Sequence, residues 1–248
     1  MRYATSFVLI LTRVVFAPCL AHAGDNDGTP QATFERLQDF AGSDVLDFQT
    51  TVASRDEYLG TVRGTAHFVI RRPNAFRIEG SLGRASYTLV SDGQTMTIYN
   101  PSEQRYTELP APASPGEGLS LLVGLASAQS RILDFVEVVR EAASRSERTE
   151  VTNAGTSTIG SRQCDHFNVV ETSDTRVARW EIWLEQKDAP VPCKFTVTNS
   201  DGVSTDVQTD EFSWKLHPVL SSEDFKFIPP AGSKKVRNVS ELGLRPAF

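Results

Sequence analysis

The chain has 248 residues, with 25 Lys and Arg against 31 Asp and Glu, a net charge of −6. Such an acidic balance lacks the basic face that phosphate backbones require, which argues against nucleic acid as a partner and against flat docking on anionic lipid. It leaves open the burial of a lipid inside a cavity, and the length suits one all-β domain with enough chain to bury a core.

Residues Met1–Ala23 read as a secretory signal peptide. Arg2 supplies the positive start, Phe7–Leu11 and Val14–Ala17 the apolar run, and Ala21-His22-Ala23 a small-x-small cleavage site after Ala23. The apolar run is shorter than the roughly 20 residues that span a bilayer and contains Arg13, so no stable membrane insertion is expected once the leader is removed. Cys19 invites comparison with a lipoprotein anchor, but Pro18 stands where that motif has Gly or Ala. The mature chain therefore begins at Gly24, works outside the cytoplasm, and is more acidic than the precursor because Arg2 and Arg13 are lost.

After a Gly/Asp-rich start, Thr33–Phe40 predicts a short amphipathic helix with Phe34, Leu37 and Phe40 on one stripe. From Val45 the hydrophobic period changes to two. Strands are expected at Phe48–Ser54, Thr61–Arg71, Phe76–Gly80, Tyr87–Val90, Thr95–Tyr99 and Gln104–Glu108, with turns at Arg72-Pro73-Asn74 and Ser91–Gln94. Leu109–Gly118 is a Pro/Gly-rich connector, Gly118–Ala128 an apolar helix, and Ser130–Ala143 an amphipathic one. Strands then resume at Glu150–Ala154, Gly155–Ser161, Gln163–Thr172, Val177–Gln186, Cys193–Asn199 and Val203–Lys215, followed by an extended tail, Phe225–Gly232. The expectation is a long antiparallel meander, preceded by one helix and interrupted by two. A lone antiparallel sheet buries one face, so the economical arrangement is a curved sheet whose concave face the apolar helix closes.

That face carries Phe68, Ile70, Phe76, Ile78, Leu89, Met96, Ile98, Trp180, Ile182 and Phe195, and the closing helix would bring Leu119, Leu121, Leu122 and Leu125. Such a set is either the lining of a ligand cavity or plain core. Gly116, Gly118 and Gly124, flanked by Pro110, Pro112 and Pro115, are hinge candidates for a lid over Leu109–Ala128. Trp180 and Trp183, three apart on one strand, cannot both face inward; packing under the tail is the expectation for Trp183. Cys164 and Cys193 either pair across next-nearest strands in an oxidising compartment or remain two small buried thiols. No metal site is expected, because no histidine pair completes a ligand set around them. His67 and His166 fall on outer strand faces, where solvent exposure is the default; His217 sits near the tail. Solvated turn arginines are the expected state of Arg71 and Arg72. Gly155–Gly160 lacks the Gly-x-Ser-x-Gly of a nucleophile elbow, and Gly232–Lys235 lacks the glycines of a phosphate loop.

The run from Phe68 to Glu79 (FVIRRPNAFRIE), then Asp92-Gly93, Met96–Pro101 and Tyr106-Thr107, resembles the DUF2092 family of predicted periplasmic proteins. The later Cys164-Asp165-His166, Trp180–Trp183, Pro192-Cys193-Lys194 and Phe225–Pro230 fit the same pattern, so the resemblance covers nearly the whole mature chain. That family is similar in turn to the periplasmic lipoprotein-carrier (LolA/LolB-like) superfamily. The resemblance implies a mainly β fold, an unclosed antiparallel β-barrel with helices as a lid over an apolar cavity, formed by residues 24–248 as a single domain. It suggests a periplasmic carrier whose partner is a lipid, an acyl chain or an acylated protein, although the DUF2092 family itself has no established function; an exported chain with no active-site constellation is likewise expected to be a binder rather than an enzyme, with no cofactor. The other readings are an envelope interaction module with a filled interior, contacting a protein partner through sheet edges or Trp183, and a hydrolase with an unfamiliar site.

Overall fold

The computed structural model describes residues 30–56, 60–122, 133, 136, 149–172, 177–187, 190–200 and 205–244. The leader and Cys19 lie outside the described residues, as do Leu125, Gly124 and most of the second expected helix. Helix α1 (Pro30–Ala41) is followed by β1 (Val45–Asp56), β2 (Gly60–Arg71), β3 (Ala75–Leu82), β4 (Ala85–Asp92), β5 (Thr95–Asn100) and β6 (Arg105–Pro110). After α2 (Pro115–Ser120) come β7 (Thr149–Ile159), β8 (Arg162–Thr172), β9 (Val177–Glu185), β10 (Pro192–Ser200) and β11 (Thr205–Trp214). A two-residue strand β12 (Lys234–Lys235) and 3-10 turns at Glu223–Phe225 and Val239–Leu242 complete the chain.

All twelve strands form one unclosed sheet in the order β12-β6-β5-β4-β3-β2-β1-β11-β10-β9-β8-β7. The expected single meander is therefore two, β1–β6 and β7–β11, which meet where β1 pairs with β11. Phe48 of β1 seals this seam. Its ring stacks on Phe68 of β2 at 4.7 Å and on Trp214 of β11 at 4.5 Å, the cross-strand aromatic contact that most strengthens a ladder. The sheet is not wholly antiparallel, because β12 runs parallel to β6 and covers that edge. Since β6 and β7 lie at opposite ends of the two meanders, the connection that starts at α2 joins one side of the sheet to the other.

Local chemistry explains the element ends. Asp92 Oδ1 accepts hydrogen bonds from the Gln94 and Thr95 N–H groups at 2.8 Å each, which fixes the β4–β5 turn. Gly93 there has φ +94°, open to glycine at no steric cost. Ser114 caps α2: its Oγ accepts from Glu117 N–H, and Glu117 Oε2 reaches back past the cap to accept from Ala113 N–H. The two strands expected at Glu150–Ala154 and Gly155–Ser161 are one, β7, bent by a bulge between Asn153 and Gly155.

The tail lies across the convex face. Phe225 packs with Val69 and Ala75, and Phe227 sits 5.5 Å from both Tyr99 and Tyr106. Arg77 donates to the Asp224 and Lys226 carbonyls. Arg71 lies 4.6 Å over the Phe225 ring, and Arg72 donates to the Ala41 and Ser43 carbonyls at the end of α1. Neither is the solvated turn arginine expected from sequence: both hold a neighbouring segment against the sheet.

Candidate functional site

Register places the concave face. Phe48, Phe68, Ile78, Leu89 and Ile98 pair in sequence across β1 to β5 and form one row. The neighbouring row brings Leu46, Ile70, Phe76, Ser91 and Met96 together. On the other meander Phe195 pairs with Ile182 and Ile182 with Phe167, while Val197 pairs with Trp180 and Trp180 with Val169. The ten residues expected to line this face share it, and none is more than 9% exposed. Side chains the sequence analysis did not single out join them: Phe48, Tyr87, Phe167, Val169, Val197 and Phe212. Strict alternation along each strand predicts all six, once the inward parity is known.

The start of the connection closes over this face. Leu119 and Leu122 are buried in the same cluster as the sheet residues, and further along so are Leu133 and Val136. Leu121 is not a lid contact: it is 40% exposed on the opposite side of α2. Gly118 makes the close approach. A Cβ built on it would lie 2.8 Å from Phe76 Cζ, 3.1 Å from Met96 Sδ and 3.4 Å from Pro112 Cγ, so glycine serves here to let α2 press onto the sheet. Asn74 Nδ2 donates to the Pro112 carbonyl and ties the approach to α2 onto the β2–β3 turn. An apolar crevice lined by Leu37, Phe40, Ala41, Leu46, Val136, Pro192 and Trp214 continues the interior under α1.

Polar groups are also buried on this face. Gln208 Nε2 donates to Asp210 Oδ2 at 2.7 Å within β11. Among the described residues Thr50 Oγ1, Tyr87 Oη and Thr107 Oγ1 have no hydrogen-bond partner. Burial pushes the Tyr87 phenol well above its ordinary pKa, so it stays protonated throughout the physiological range.

The convex face has a different character. Cys164 on β8 and Cys193 on β10 form a disulfide with Cα atoms 6.8 Å apart. Simple alternation would aim Cys193 to the same side as Phe195, but β10 is bulged between Pro192 and Lys194. The extra residue turns Cys193 towards Cys164. Trp183 packs on this disulfide rather than under the tail. The His166 ring stacks on it at 4.2 Å, and Lys194 Nζ lies 4.5 Å from its centroid. His166 Nε2 is 3.0 Å from Glu181 Oε2, and His67 Nε2 is 2.8 Å from Asp47 Oδ1. These two histidines are partly buried and paired, not free in solvent; His217 is exposed. A groove of about 520 Å³ runs along β1, β2 and β11, lined by Gln49–Thr51, Thr65–His67, Glu79, Arg162 and Glu211–Ser213. Among the described residues no three His, Cys, Asp or Glu side chains converge to hold a metal ion, and no helix is long and apolar enough to cross a membrane.

Residues 42–238 match the family model DUF2092, described as a predicted periplasmic protein. No curated protein matches the chain. Among solved structures it is similar to LprF from Mycobacterium bovis, at 10% identity over 77% of this chain and 94% of that one, with a TM-score of 0.47. The Mycobacterium tuberculosis lipoprotein LppX is 12% identical over 77% of this chain and 99% of that one, with a TM-score of 0.42. A LolA superfamily protein from Nitrosomonas europaea is 10% identical over 80% and 98%, with a TM-score of 0.30.

Proposed function

Because the chain belongs to the DUF2092 family of predicted periplasmic proteins, we propose that it is a non-catalytic binding or carrier protein, holding a lipid, an acyl chain or an acylated protein against its concave face. The observation that carries this reading is the buried apolar cluster drawn from both meanders, interrupted on β11 by Gln208 and Asp210, over which Leu119 and Leu122 close. Transfer of an alkyl chain from water onto such a surface is favourable by about 0.8 kcal/mol per methylene. The contact of Gly118 with Phe76 and Met96 leaves no room for a chain beneath α2. Loading therefore requires α2 to lift. Release reverses the motion.

A second reading is an envelope interaction module whose interior is simply core. The close seat of Gly118 favours it at that end of the sheet. Native mass spectrometry of the protein purified from the periplasm, with lipid extraction of the same sample, separates the two. A co-purifying lipid or acylated peptide supports the carrier. A clean protein mass that gains nothing on adding phospholipid or acyl peptide supports the module.

A further inference from the structure

The groove along β11, β1 and β2 is built from two adjacent cross-strand rows. Ser213, Gln49, His67 and Glu79 oppose one another in one row, and Glu211, Thr51 and Thr65 in the next. Alternation turns these side chains away from Phe48, Phe68 and Phe212, so they stand on the convex face, opposite the buried cluster. Thr50, Ala66 and Phe212 also border the groove, but their side chains are buried on the other side, so they offer it backbone only. The neighbouring row runs through Asp47, Val69 and Arg77. There the tail lies on the sheet, with Phe225 against Val69 and Arg77 donating to the Asp224 and Lys226 carbonyls, and it makes one bank. Arg162, which also donates to the Cys193 carbonyl, makes the other. The volume between them is about 520 Å³, within the roughly 300–1,000 Å³ usual for small-molecule sites.

The chemistry of this floor is selective. Among the described residues the side chains of Gln49, Thr51, Glu211 and Ser213 bond to no protein group, so they are offered to whatever fills the groove. Amide and hydroxyl side chains both donate and accept, as sugar hydroxyls do. Among the described residues no apolar side chain lines this face, so it gives an acyl chain nothing. An anion would meet the carboxylates of Glu79 and Glu211, and a cation the guanidinium of Arg162. An extended peptide docks by pairing its backbone with a sheet edge, whereas β11, β1 and β2 are interior strands paired on both sides. We propose that this groove binds a short neutral oligosaccharide. Glu211 accepts from neighbouring ring hydroxyls, Gln49, Thr51 and Ser213 exchange hydrogen bonds with others along the floor, and Arg162 donates to ring or glycosidic oxygens. The site lies on the opposite face from the cargo of the carrier reading and does not rest on it.

The test is a titration of nitrogen-15-labelled protein, followed by amide NMR, with maltotriose, cellotriose and tri-N-acetylchitotriose separately at millimolar concentration, and with tetra-alanine as the peptide control. Saturable shifts are expected at the Gln49 side-chain amide and at the Thr51, Thr65 and Ser213 backbone amides with at least one of the three sugars. Thr51→Trp puts a bulky ring into the groove from an exposed strand position that suits tryptophan, and should abolish those shifts with an unchanged melting temperature. Gln49→Ala, also at an exposed position, should weaken binding about two- to tenfold, the worth of one hydrogen bond. No saturable shift at these residues with any of the three sugars would overturn the proposal. So would shifts undiminished in the Thr51→Trp protein, and so would shifts given by tetra-alanine but by no sugar, which would assign the groove to a peptide.

Discussion

Replacing Gly118 by alanine sets two effects of known size against each other. Alanine in a helix interior is favoured over glycine by about 1 kcal/mol. The new methyl group would lie 2.8 Å from Phe76 Cζ and 3.1 Å from Met96 Sδ. Met96 can turn away, but Phe76 is fully buried and its ring has nowhere to go. Overpacking of this kind costs about 1–3 kcal/mol, so Gly118→Ala should lower stability by about 0–2 kcal/mol despite its better propensity. In a Phe76→Leu background the ring edge is gone, and the same substitution should become stabilising by about 1 kcal/mol. Urea unfolding of the four proteins of this cycle measures the coupling, expected at about 1–3 kcal/mol with an unchanged m-value. A Gly118→Ala protein that is more stable than the wild type by the full propensity gain, with no coupling to Phe76, would show that α2 does not press on the concave face.

The disulfide closes a loop with a sequence separation of 29, for which chain entropy gives about 3.6 kcal/mol. The Cys164→Ala/Cys193→Ala double variant should melt roughly 7–14 °C lower for a domain of this size; a loss below about 1 kcal/mol would refute the staple. Asp92 accepts N–H bonds from Thr95 and then Gln94, which hold its carboxyl below the usual carboxylate range. A depressed folded-state value means that the stabilisation is complete above the ordinary value and lost as pH falls. Asp92→Ala should therefore cost up to about 1 kcal/mol at neutral pH, discounted for exposure. The gap from wild type should narrow as pH falls below the ordinary carboxylate value of about 4, and a gap that stays constant on acidification would contradict the assignment.

Much of the sheet was legible because alternation is a local property. Phe76, Ile78 and Leu89 announce an inward face wherever their strands pair. The long-range features were not legible, for identifiable reasons. Nothing in the Val203–Lys215 pattern says that this strand returns to β1, since the pairing depends on the aromatic seam of Phe48, Phe68 and Trp214 rather than on sequence neighbours. The bulge that re-aims Cys193 is a backbone event between Pro192 and Lys194 with no residue-level marker. Glycine serves both freedom and close approach, and the close approach at Gly118 shows only once Phe76 and Met96 face it. The ion pairs and rings around His67, His166, Arg71 and Arg72 likewise come from partners distant in sequence.

Cargo held by this protein sits, on the proposed function, on the concave face. Trp180 faces that interior, whereas Trp183 packs on the convex side against the disulfide. Two single-tryptophan proteins, keeping either Trp180 or Trp183 with the other indoles replaced by phenylalanine, can be titrated with a lysophospholipid brominated along its acyl chain, which quenches fluorescence only on contact. The Trp180 protein should be quenched and the Trp183 protein unchanged. Quenching of Trp183 with Trp180 unaffected would place the ligand on the wrong side of the sheet and contradict the proposed function.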